Sequence, residues 1–209
     1  MAKLQVNPTR MELLNLKKRV ATAKRGHKLL KDKQDGLMQT FMKIIKEARS
    51  TRREVEKMLQ KAFQAFIFAS GMMYPEMLEN ALMYPSAKVS LKVKTKNVMS
   101  VHIPFFEPKL EGNIVNYGYN QTSGELDRAL KIFQEVFLMM VKLAEIERQA
   151  ELLAEETEKT RRRVNALEHR MIPDLVETLK FIQMKLAEAE RSSITGVMKI
   201  KEMIEAQGT

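Results

Sequence analysis

Cysteine and tryptophan are both absent from this 209-residue chain. Without cysteine there can be no disulfide, no thiolate metal site and no cysteine nucleophile. Glycine (8) and proline (6) are scarce, and aromatic residues make up only 6%. That scarcity disfavours both disorder and a loop-rich fold, and it favours long helices, whose narrow seams need few large side chains. No apolar run approaches the roughly 18 residues of a membrane span. The longest patch, Ala62 to Met73, is short and carries Gln64. The opening MAKLQVNPTR lacks the apolar segment of a secretory signal, so a soluble, cytoplasmic chain is expected.

The motifs of chemistry are missing too. No glycine-rich phosphate loop ends in Gly-Lys followed by Ser or Thr, and no Gly-x-Gly-x-x-Gly follows a strand pattern. The three histidines, His27, His102 and His169, fall on separate segments without metal-ligand spacing. Carboxylate pairs such as Glu155-Glu156 lie on a charged helical face, where solvation accounts for them. The expectation is a non-enzymatic chain with no cofactor and no metal.

What is present is charge and periodicity. Charged residues make up 30% of the chain, and the net charge is +10. Residues 1–70 carry about +11 and the remainder is close to neutral. Such a basic half suits nucleic acid, an anionic membrane surface or an acidic protein, or simply solvates the outside of a long helix.

Asn7 as N-cap and Pro8 at the first helical position predict a helix from Pro8 to about Ser70. Alternating steps of three and four from Leu13 give Leu13, Leu16, Val20, Ala23, His27, Leu30, Gln34 and Leu37. The series continues through Phe41, Ile44, Ala48, Thr51, Val55, Met58, Ala62 and Ala65. Thirteen of these sixteen are apolar against roughly seven by chance, so a heptad seam is present. His27 is read as a polar seam residue that fixes register, not as a ligand. Gly26 and Gly36 are read as points of close approach for a partner helix.

Pro75 and Pro85 bracket a Met-rich stretch with room for a short helix over Glu76 to Met83. Val89, Leu91 and Val93 then alternate with polar residues, Thr95-Lys96-Asn97 can turn, and Met99, Val101 and Ile103 alternate again up to Pro104. This reads as a β-hairpin. A lone hairpin is marginal in water, so Phe105, Phe106, Tyr117 and Tyr119 are candidates to fasten it to the helices. Ser123 is a candidate N-cap for a second long helix from Gly124.

The second seam runs Leu126, Leu130, Phe133, Phe137, Met140, Leu143, Ile146, Ala150, Leu153, Thr157, Thr160, Val164, Leu167 and Met171. Beyond Pro173 it continues Leu175, Leu179, Ile182, Leu186 and Ala189. From Leu167 to Leu179 the steps are four, four, four. This phase slip at Pro173 predicts a bend there without a break. The last stretch, with Gly196 and a weaker seam, is expected to protrude as a single helix. The fold class expected is mainly α: a long antiparallel two-helix coiled coil of N- and C-terminal arms, residues 1–70 and 124–209. The insert, residues 71–123, holds a short helix and the β-hairpin at the far end from the termini.

Two cationic clusters stand out, Lys17-Lys18-Arg19 and Arg161-Arg162-Arg163. The arginines either pair along the helix with Glu158 or Glu168 or meet an acidic surface of a partner.

Two segments carry a family resemblance. RRRVNALEHRMIPDLVETLKFI (residues 161–182) and PTRMELLNLKKRVATAKRGHKLLKDKQDGL (residues 8–37) closely resemble the D subunit of V-type (V/A-type) rotary ATPases. The likeness covers both arms and includes Gly26, His27, Val164, Asn165, Leu167, Glu168 and Pro173. It implies a central rotor shaft inside a ring of catalytic A and B subunits, coupling ATP hydrolysis or synthesis to H⁺ or Na⁺ transport by a membrane rotor. It further implies a small F subunit on the shaft's side and a socket subunit linking it to the membrane ring. The place implied is peripheral, on the cytoplasmic side, with no span of its own and no nucleic acid. Lys17, Lys18, Arg19, Arg161, Arg162 and Arg163 become candidate ring contacts. The readings that compete from the residues alone are a basic coiled-coil scaffold and a nucleic-acid-associated coiled coil.

Overall fold

The computed structural model describes residues 6–84, 86–118 and 122–207. The expectations for Pro85 and Tyr119 lie outside the described residues. Helix α1 (Arg10–Gly71) is followed by a short helix α2 (Pro75–Met83), strands β1 (Lys88–Val98) and β2 (Val101–Glu111), and helix α3 (Gly124–Ala166). A π-helical turn, Leu167–Met171, joins α3 to helix α4 (Ile172–Gln207). The chain packs as two compact units. One is drawn from Met1–Asp35 and Glu158–Thr209, the other from Gly36–Thr157.

The first helix opens two residues later than its sequence suggests, at Arg10 and not at Pro8. Thr9 is the cap: its Oγ1 accepts the Glu12 amide at 3.2 Å, and its carbonyl accepts the Leu13 amide at 3.0 Å. Thr9-x-x-Glu12 has the spacing of a capping box. Pro75 takes the first turn of α2, where its missing N–H costs nothing. Ser123 does precede α3, but its hydroxyl is buried without a hydrogen-bond partner and makes no cap bond.

In the first unit α1 lies antiparallel to α4. Leu16, Leu175 and Ile182 are buried together, with Leu13, Val20, Ala23, Leu179, Phe181 and Leu186 around them. Arg10 pairs with Glu190 at 2.5 Å and His27 Nε2 lies 3.3 Å from Glu168 Oε2, so rising numbers on α1 meet falling ones opposite. Leu30 is half-buried and Val164 buried. Threonines in the apolar seams satisfy their own hydroxyls: Thr178 Oγ1 donates to the Asp174 carbonyl at 2.7 Å. From residue 187 to 204 every side chain of α4 is exposed, Ala189 included, so the seam ends at Leu186.

In the second unit α1 and α3 again run antiparallel, with Arg52 paired to Glu147 at 2.7 Å and Phe63 edge-on to Phe133 at 5.7 Å. The seam of early α3 differs from the expected one. Ala129 and Val136 are buried, whereas Phe137 and Met140 are 37% and 46% exposed. Both of these side chains line an open apolar groove instead, together with Leu59, Val89, Leu110, Leu130 and Phe133.

The hairpin is longer than expected and turns elsewhere. Val98 pairs with Val101 across a two-residue turn, Met99-Ser100, in which both residues have positive φ (51° and 71°). That is the backbone of the tight hairpin turn whose twist matches its strands. Thr95-Lys96-Asn97 lie within β1, and Pro104 does not end β2. The register explains why. A pair flanking a two-residue turn exchanges hydrogen bonds, and the alternate pairs do not. Pro104 faces Thr95 and Pro108 faces Leu91, both at non-bonded positions where no donor is needed.

The turn end of the hairpin sits in the core: Val101 and Ile103 are buried with Leu37 of α1 and Leu153 of α3, and Phe41, Ile44, Val98 and Phe105 close around them. Gly36 faces the turn and not a partner helix, since a Cβ there would lie 2.6 Å from the Met99 methyl. A Cβ on Gly26 would meet nothing within 4 Å, so that glycine serves no close approach.

The outer edge of β2 is fastened to α3 by two side chains one helical turn apart. Glu145 Oε2 accepts the Phe106 amide at 2.9 Å, and Gln149 Nε2 donates to the Pro104 carbonyl at 2.9 Å and to Glu145 Oε1 at 3.1 Å. Gln149 is buried. Tyr117 adds a hydroxyl bond to the Asp127 carboxylate. Replacing Gln149 by alanine leaves the half-buried Pro104 carbonyl without its donor and should cost about 1–3 kcal/mol. Replacing Glu145 by alanine should instead free the Phe106 amide, which hydrogen exchange would report as a local loss of protection.

Candidate functional site: a basic groove at the π-turn

Proline at position 173 cannot donate to the His169 carbonyl, and its ring crowds that oxygen in a regular helix. The chain relieves this by widening the preceding turn. The Ile172 amide bonds to the Leu167 carbonyl, five residues back. A turn of that kind holds one extra residue, which is the physical content of the phase slip. The extra residue also corrects the seam. Met171 is 53% exposed, while Ile172 is half-buried and takes the inward place. The steps are five, three, four and three from Leu167 through Ile172, Leu175 and Leu179 to Ile182. Leu175 and Ile182 are buried again beyond the turn. The helix is unbroken through Pro173.

Widening one helix opens a groove against the other. It has a volume of about 720 Å³, with Ala23 and Thr22 of α1 and Ala166, Leu167, Met171 and Leu175 lining it. Lys18, Arg19 and Arg170 bring three cations to this groove, and Asp174 brings one carboxylate. His27 closes on Glu168 just beside it, tying α1 to the π-turn itself. The arrangement offers an apolar floor with cationic sides. It holds no nucleophile–base pair, and the described residues contain no group of three or more acidic or histidine side chains suited to a metal.

The predicted cationic residues therefore divide. Lys18 and Arg19 line the groove; Lys17, next to them in sequence, does not, since a helix turns neighbouring side chains about 100° apart. Arg161, Arg162 and Arg163 are exposed and outside the groove, and Arg162 pairs with Glu158 one turn back. Glu168, the other suggested partner of that triplet, is taken by His27. Arg170 and Asp174 were not singled out by sequence reasoning. Their signal was the phase slip itself, because a π-turn displaces the residues that flank it.

No helix among the described residues is long and apolar enough to cross a membrane. Comparison with known proteins places these features in a family. The family model of the ATP synthase D subunit matches residues 12–202. The D subunit of a V-type ATP synthase from Fusobacterium nucleatum is 53% identical over 208 residues, covering 98% of this chain and 99% of the relative. The protein of the same name from Clostridium novyi is 51% identical over 212 residues, covering 99% and 98%. One from Clostridium botulinum is 53% identical over 208 residues, covering 97% and 96%. With paired antiparallel arms, an inserted hairpin and this likeness along nearly its whole length, the chain belongs to the family of ATP synthase D subunits.

Proposed function

We propose that the protein is the non-catalytic central-stalk component of a V-type rotary ATPase. In this reading it turns within a ring of catalytic A and B subunits and couples ATP hydrolysis or synthesis there to H⁺ or Na⁺ transport by a membrane rotor. The observation that carries the reading is the near full-length likeness to the D subunits of V-type ATP synthases, borne on two arms of paired helix. Paired helices resist bending and twisting better than one, and torque transmission asks for that stiffness. The segments divide the work: residues 1–70 and 124–209 form the shaft, and residues 71–123 form the insert. A small F subunit on the side and a socket subunit towards the membrane complete the contacts, with the complex held peripherally on the cytoplasmic side. Pro173 and its π-turn provide a bend within the shaft.

Lys17, Lys18, Arg19, Arg161, Arg162 and Arg163 are the ring contacts of this reading. Exposed cations give a gliding contact with acidic or polar faces, because screened surface pairs are worth little singly and lock no one angle. The test is isolation of the tagged chain from its native source in mild detergent, with partners identified by mass. Two large ATPase subunits in excess over this chain, with a small companion, are expected. Neutralising Lys17, Lys18 and Arg19 together should then weaken assembly of the ring or its coupled ATPase. Recovery of nucleic acid, or of this chain alone, would return the basic coiled-coil scaffold as the reading.

A further inference from the structure

The hairpin has two outer edges, and among the described residues only one is covered. On β2 the outward-facing groups are those of the non-bonded positions. Two of these are prolines without a donor, and Glu145 and Gln149 hold the Phe106 amide and the Pro104 carbonyl. On β1 the outward-facing groups belong to Val89, Leu91, Val93, Thr95 and Asn97. Among the described residues no strand and no side chain bonds to that edge. Every β1 residue from Lys88 to Asn97 is exposed.

The two faces of β1 differ in chemistry. Val89, Leu91 and Val93 lie on one face and are 46–57% exposed. Val89 also lines the apolar groove of about 440 Å³ with Leu110, Phe133, Phe137 and Met140, so this face runs on into apolar surface. Lys88, Lys92, Lys94 and Lys96 lie on the opposite face, with Ser90 between. Lys94 is bonded to Glu107 across the hairpin, and that bond holds the Glu107 carboxyl below its usual range. An excess of positive charge remains along the row.

We propose that the outer edge of β1 receives an extended strand from a partner protein, one in which acidic and apolar residues alternate. The added strand would take the outward amides and carbonyls of Leu91, Val93 and Thr95. Its apolar side chains would extend the Val89-Leu91-Val93 row and its carboxylates would face the lysines. Strand addition of this kind draws affinity from the main chain and selectivity from alternate side chains. Lysine on an edge strand ordinarily guards against self-pairing. Here it does so selectively, because a second copy of β1 would set lysine against lysine while an acidic strand would relieve the row. A two-stranded ribbon also gains the most from a third strand. The inference stands apart from the rotor reading, since it rests on the edge alone.

The probe is a blocked peptide of alternating Glu and Val, titrated into the full chain at low salt and followed by titration calorimetry and amide hydrogen exchange. Binding should slow exchange at Leu91, Val93 and Thr95, which point outward, and leave the inward amides of Lys92 and Lys94 as they were. A Lys/Val peptide of the same length should not bind. Val93→Pro removes one outward donor at a position where the hairpin itself needs none, as Pro104 and Pro108 show on the other strand. It should weaken the acidic peptide by about tenfold. Lys92→Glu with Lys96→Glu leaves two lysines and two glutamates on the row and should remove the preference for the acidic peptide over the Lys/Val peptide, which decides the matter should Val93→Pro disturb the inward amides. No binding of the acidic peptide, or binding that neither variant alters, would overturn the proposal.

Discussion

Truncating Leu37 to alanine lowers the stability of the chain by about 2–5 kcal/mol, the cost of a cavity left in a core that cannot close over it. Leu37 is fully buried, and it is where three elements meet: α1, α3 through Leu153, and the hairpin through Val101 and Ile103. The hairpin makes the loss larger than for an isolated helix pair. Its turn residues hold positive φ at non-glycine positions, a conformation that local preference does not favour. Packing against Leu37 keeps it. Thermal denaturation should therefore show a lower midpoint, at about 2–4 °C per kcal/mol for a chain of this size. Amide exchange at Val101 and Ile103 should quicken before that of the α1 amides. A variant with unchanged midpoint and unchanged hairpin protection would mean that the turn holds itself.

Deleting Met171 together with Pro173→Ala should leave stability within about 1 kcal/mol of the parent or raise it, since proline costs a regular helix about 3 kcal/mol. The deletion removes the one extra residue of the π-turn, and Ile172 then falls on the next heptad place after Leu167. Leu175, Leu179, Ile182 and Leu186 keep their inward positions. Deleting Lys180 instead, also an exposed residue, has no such spare turn to absorb it. Ile182 is fully buried, and the deletion rotates it off the seam at a cost of about 2–3 kcal/mol. Denaturant unfolding of the two deletions separates the cases. If both behave alike, the extra residue is not what the π-turn stores.

Much of this was legible in the sequence, and the misses have particular causes. Heptad spacing announced α1 and the later part of α3 because burial along paired helices is periodic. The slip at Pro173 was visible as three steps of four. Placing the inward residue, however, needed the five-residue bond from Ile172 to Leu167, which no spacing encodes. Spacing alone therefore gives Met171 a place that Ile172 fills. The alternation of the strands was legible, but their ends were not. Thr95-Lys96-Asn97 has turn composition, while Met99-Ser100 has little. The turn falls where it does because Val98 and Val101 are drawn into the core on either side of it.

Pro104 looked like a stop because strand interiors need donors. It is tolerated because β2 is an edge strand whose register puts that nitrogen outward. The cationic triplets read as units in the sequence, yet only Lys18 and Arg19 of the first reach the groove, and the second is partly engaged with its own helix. A linear cluster of charge is dispersed around a helix by its pitch.

The division into two units carries a consequence for the order of assembly. One unit is a single continuous stretch, Gly36–Thr157, while the other needs residues from both chain ends. Loop closure costs grow with the length of chain to be closed. On a ribosome, the continuous unit can close once Thr157 has emerged. Val6 to Ala23 must then wait for Leu175, Leu179 and Ile182 to be made. During that interval an amphipathic helix with a strongly basic outer face stands without its partner. High net charge disfavours self-association, so the lysines and arginines of that helix have a use before any complex is formed.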